Sequence, residues 1–116
     1  MITRQQLLSA KRQILEVDLP GDEKALIREI TGAERKILSK TYDSDRSLFH
    51  DQLIAYSACD DDGNLLFDPV KDLAIIPEIP TTLQESIFDA ALELNGLTDR
   101  SKSAEKKDLK TLPKSD

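Results

Sequence analysis

Ile14-Leu15-Glu16-Val17-Asp18-Leu19 runs into Pro20-Gly21-Asp22, then Lys24-Ala25-Leu26-Ile27-Arg28-Glu29-Ile30, then Thr31-Gly32-Ala33-Glu34. From Leu15 to Leu19 apolar and acidic residues alternate, the period of a strand with one buried face. Pro-Gly-Asp is turn chemistry, because Pro pre-sets φ and Gly accepts φ > 0. The tract 24–30 reads as a returning strand, completing a hairpin. Thr31 and Glu34 then have the spacing of a capping box, in which each satisfies a backbone N–H near the other. Ala33, Ile37 and Leu38 share one face of the helix this box opens, to about Thr41. A hairpin handing over directly to a helix sets the class as α+β.

Working outward from that stretch gives mostly helices. Thr3-Arg4-Gln5-Gln6 is another capping box and predicts a short helix over 4–11. Tyr42-Asp43-Ser44-Asp45 is a break rich in N-cap residues. The steps Phe49, Leu53, Tyr56 suit a helix over 46–58, although 53–59 fits a strand equally well. Asp60-Asp61-Asp62-Gly63-Asn64 is a turn by composition. Pro69, Pro77 and Pro80 restrict Leu73–Ile76 to a short helical turn. Thr81-Thr82-Leu83-Gln84 offers a third capping box. Leu83, Ile87, Phe88, Ala91, Leu92 and Leu94 mark the strongest helix, ended by Asn95-Gly96 with Gly96 as its C′ residue. The expected architecture is a mostly helical small domain over 1–98 with an N-terminal β-hairpin. A polar tail over 99–116 is expected to be disordered when the chain is alone.

Charge restricts the ligand. The 116 residues have a net charge of −6. The tail 99–116 holds six bases and four acids, so residues 1–98 hold ten bases against 18 acids, a net −8. Such a body repels phosphate backbones, which argues against nucleic acid as partner. No apolar run approaches the ~18 residues of a bilayer span, and the first residues lack the apolar core of a secretory signal. A membrane partner is therefore not expected. A lone cysteine, Cys59, points to a reducing compartment.

Tests for chemistry come back empty. With Gly63 at position 6 of a calcium loop, position 1 is Ala58 and position 12 is Pro69, so the frame fails at both ends. One His and one Cys exclude a His/Cys zinc site. Cys59 is followed by three aspartates, which oppose a thiolate, and His50 reads as a half-exposed helix residue. No phosphate-binding or nucleophile-elbow motif occurs. No catalytic residue, cofactor or metal is expected.

The last helix carries the interaction signal. Its apolar positions cover more than one stripe, and a chain this small has little core with which to cover both. Either the hairpin and helix 46–58 clasp it, or one face docks on another subunit or partner. The same two readings apply to the Phe49/Tyr56 side of helix 46–58. The candidates for partner binding or self-association are Phe49, Tyr56, Ile87, Phe88 and Leu92.

Three segments in order resemble a known family: Ile30-Thr31-Gly32-Ala33-Glu34-Arg35, Cys59-Asp60-Asp61-Asp62-Gly63-Asn64-Leu65-Leu66-Phe67, and Phe88-Asp89-Ala90-Ala91-Leu92-Glu93-Leu94-Asn95-Gly96-Leu97. With the start Met1-Ile2-Thr3-Arg4-Gln5-Gln6-Leu7-Leu8, the chain resembles a tail assembly chaperone of long-tailed bacteriophages or prophages over about residues 1–98. The resemblance implies a mainly helical, non-enzymatic protein of the host cytoplasm that is absent from the finished virion. It implies binding of the long, apolar tape measure protein, recruitment of tail tube protein, and self-association into oligomers or spirals. It also implies, in many members, a longer product made by a frameshift near the 3′ end of the gene. Thr31, Gly32, Glu34, Gly63, Asn95 and Gly96 are motif residues whose expected role is structural. Apart from the resemblance, the rival reading is a small acidic adaptor or regulatory module that docks one globular partner and stays monomeric or dimeric.

Overall fold

The computed structural model describes residues 1–97, so the expectation of a disordered tail lies outside the described residues. The chain runs α1 (Arg4–Ser9), β1 (Ile14–Leu19), β2 (Glu23–Arg28), α2 (Gly32–Ser44), α3 (Arg46–Ser57), β3 (Ala58–Cys59), a 3-10 turn (Leu73–Glu78) and α4 (Thr81–Leu94). The three strands form one antiparallel sheet in the order β1-β2-β3.

The hairpin register places Val17 opposite Ala25 and Leu15 opposite Ile27. Val17 and Ile27 are buried, and Glu16, Asp18 and Lys24 are exposed. The alternation thus puts the apolar set on one face. Gly21 and Asp22 both take positive φ, 82° and 62°, which closes the chain in three residues. Asp tolerates this region better than most residues with a Cβ.

Two capping boxes form as read. Thr3 and Thr31 each accept from the amide three residues on, and Gln6 and Glu34 each reach back to the cap amide. The third does not form. Pro80 occupies the N-cap position of α4 without a side-chain cap, and its carbonyl accepts from Leu83 and Gln84. Gln84 donates instead to the Ile79 carbonyl at 2.6 Å, closing the turn before the helix.

The 46–59 tract contains both readings in succession. It is helical to Ser57 and then pairs Ala58 and Cys59 with Ile27 and Leu26. The core sits where α3 and α4 pack together and α4 covers the apolar face of the sheet. Ile27, Leu53, Ile54, Ala55, Ile76 and Ala91 are fully buried. The short α1 buries nothing.

Candidate functional site

The three segments that carry the resemblance meet along a polar seam. At its centre is Asn95, whose Oδ1 accepts from the Ile30 amide at 2.9 Å while Nδ2 donates to the Ala91 carbonyl at 2.9 Å. Its backbone carbonyl accepts from Arg35 Nη1 at 3.0 Å. The helix end beside it is a Schellman motif: Leu97 N–H donates to Leu92, Gly96 N–H donates to Glu93, and Gly96 has φ 66°. Leu92 and Leu97 are both buried, supplying the apolar contact this motif favours.

Glu34 is more than a cap. Its carboxylate receives both Arg12 guanidinium nitrogens, at 3.0 and 3.4 Å, and lies 3.6 Å from Arg28 Nη2. Arg28 in turn donates to the carbonyls of Tyr56 and Gly63. Burial and the charge of Arg12 push the Arg28 guanidinium below its ordinary pKa, and Glu34 opposes them. Arg28 therefore ties the second resemblance segment to the first. The sequence reading missed Arg12 and Arg28, which lie 22 and six positions from Glu34 and belong to no local motif.

The turn after β3 explains its own acids. Asp60 Oδ1 accepts from the amides of Asp62 and Asn64, both at 2.9 Å, and the Gly63 amide donates to the Asp60 carbonyl. This carboxylate organises a turn. No group of three or more potential metal-binding His, Cys, Asp or Glu side chains occurs among the described residues. Cys59 is buried, and burial is the main cause that raises its thiol pKa; Asp60 adds to this and Arg28 opposes it. His50 lies against the Phe88 ring, centroids 4.4 Å apart, and beside Asp51 at 3.2 Å.

The candidate interaction residues separate by burial. Phe49, Ile87 and Leu92 belong to the core of the single chain. Phe49 packs edge-on between Tyr42 and Phe88, with centroids 5.1 and 6.0 Å away. Tyr56 and Phe88 are only partly covered. The clasped arrangement therefore accounts for the inner stripe of α4, and Phe88 borders its surface.

Two apolar features lie elsewhere. One is an open groove of about 620 Å³ between the hairpin end, the turn after β3 and α4. Leu26, Leu66, Phe67, Ile79, Leu83 and Ile87 line it. Asp60, Asp61 and Asp62 also border it, as does Lys24, which is paired with Glu16 and Asp18. The other is α1, whose Leu7 and Leu8 are 62% and 70% exposed. Sequence reading did not find the groove, because its walls come from four separated tracts. No helix among the described residues is long and apolar enough to cross a membrane.

The structure of the bacteriophage HK97 tail assembly chaperone is similar to this one. The two agree with a TM-score of 0.59 at 22% sequence identity, over 78% of this chain and 90% of that chain. No family model and no curated protein sequence matches the chain. The likeness therefore rests on shape.

Proposed function

We propose that this chain is a phage tail assembly chaperone: a non-enzymatic protein that holds the tape measure protein soluble and helps recruit tail tube protein around it. The observation that carries this reading is the shared fold with the HK97 tail assembly chaperone over most of both chains. The surface suits the task. The −8 body over residues 1–98 supplies charge repulsion between complexes. Exposed apolar side chains outside the groove and the arm, Leu48, Val70 and Ile75 among them, supply contact area for a helical client with apolar stripes. Self-association, action in the host cytoplasm and absence from the finished virion belong to the same reading.

The test is co-expression with the very long helical open reading frame expected downstream of the gene. A tape measure protein that is insoluble alone and soluble in complex with this chain is the expected result. A client that stays insoluble, with no complex on co-purification, overturns the reading.

A further inference from the structure

We propose that the N-terminal arm, residues 1–9, docks through Leu7 and Leu8 in the apolar groove of a second copy of this chain. This rests on the self-associating part of the reading above and assigns a surface to it.

The arm is a helix without a place in its own fold. A six-residue helix is marginal in water by itself, since isolated helices shorter than about 12–15 residues are unstable. Thr3 and Gln6 nevertheless close a complete capping box on it. The chain thus specifies a helix there while burying none of its side chains. Ile2, Leu7 and Leu8 are all exposed.

The groove has matching chemistry. Its volume of about 620 Å³ falls in the ~300–1,000 Å³ range of pockets that enclose a compact ligand, room for a few large side chains. Its walls are apolar and its border carries Asp60, Asp61 and Asp62. Residues 1–11 carry Arg4 and Lys11 and no acid. The groove cation among the described residues, Lys24, is already held by Glu16 and Asp18 at 3.1 and 3.4 Å. A basic apolar arm therefore meets an acidic apolar groove, on a molecule whose body is otherwise negative.

Connectivity favours a neighbour's arm over the chain's own. Arg12 is fixed to Glu34, and Gln13 is hydrogen-bonded to Glu29 through both its backbone groups. Only Ala10 and Lys11 remain as a leash from Ser9 to the fixed Arg12, three steps that span at most ~11 Å. With that leash the arm lies outside its own groove: Leu7 and Leu8 are 62% and 70% exposed and neither lines it. Each copy carries one arm and one groove, so the contact is heterologous.

Sedimentation equilibrium of the full chain and two variants tests this. The variants are Leu7→Asp/Leu8→Asp in the arm and Leu66→Asp in the groove. All three positions are exposed, so both variants should keep the wild-type circular dichroism and melting temperature. Wild type should self-associate, and each variant alone should lose association at least tenfold. An equimolar mixture should then recover a dimer and nothing larger, because one intact arm and one intact groove remain. The inference is overturned if wild type is monomeric, if either variant associates like wild type, or if the mixture stays monomeric. A monomeric wild type whose melting temperature falls on Leu7→Asp/Leu8→Asp would place the arm in its own groove and overturns the inference equally. Client solubilisation is a separate readout, so loss of this contact and loss of the chaperone reading are distinguishable.

Discussion

Asn95 Oδ1 accepts the backbone amide of Ile30 across 65 positions of chain, and it does so while Asn95 Nδ2 caps the Ala91 carbonyl. One side chain thus joins the end of the hairpin to the end of the last helix. Asn95→Ala removes an acceptor and a donor from a site that is 9% exposed. The Ile30 amide loses its partner, and the expected loss is about 2 kcal/mol. A urea midpoint equal to wild type would show that the seam is not holding α4.

Glu34→Gln separates the cap from the charge. Gln serves at the third helical position of a capping box, so the N-terminus of α2 should persist. The charge between Arg12 and Arg28 is lost, leaving two guanidiniums facing each other. The expected cost is about 2 kcal/mol in dilute buffer, and it should shrink as salt screens the exposed part of the cluster. Unfolding at two salt concentrations checks both statements.

Ser57 is fully buried, and its hydroxyl has no hydrogen-bond partner among the described residues. Ser57→Ala removes that unmet group and leaves the methylene packing in place. It is expected to stabilise the protein by about 1 kcal/mol. A fall in the melting temperature would mean that the hydroxyl is satisfied in solution.

Gly96→Ala tests the helix end. The added Cβ meets no atom of the described residues within 4 Å, so the cost is conformational, arising from φ 66°. About 1 kcal/mol is expected. A thermal melt of the variant reads it directly.

Alkali should unfold the protein earlier than its acidic composition suggests. Burial raises the pKa of both Cys59 and Tyr56. A raised pKa favours the protonated form in the fold, so its stabilising effect is complete below the unfolded-state value. It is lost as pH climbs through the folded value. Stability is expected to decline from about pH 8.5 upward as the thiol begins to titrate, with tyrosine adding above about pH 10. Cys59→Ala should remove the first part of that decline.

Local chemistry was legible at Thr3/Gln6 and Thr31/Glu34, where partners are three residues apart. Two capping boxes, the hairpin and the Gly96 stop all follow from spacing along the chain. The third box at Thr81 failed because Pro80, one residue earlier, already supplies the carbonyl that starts α4. The tract at 53–59 resisted because it changes element at Ser57, inside a single apolar run. Side-chain ties such as Arg12 to Glu34 and Arg28 to Gly63 link distant positions, and no periodicity records them. Burial sorted the interaction candidates the same way. Phe49, Ile87 and Leu92 fit either face of an amphipathic helix until α3 and α4 are laid against each other.

The bond between positions 30 and 95 also sets an order of events during synthesis. At roughly 5–20 residues per second, a ribosome needs about 3–13 s to pass from one partner to the other. Through that interval the hairpin exists without the helix that covers it, and Ile27 and Val17 have no lid. Non-local closure of this kind is slow relative to helix formation. A protein proposed to shield another's apolar surface therefore begins life with its own uncovered, and its yield at high expression should depend on how fast α4 arrives.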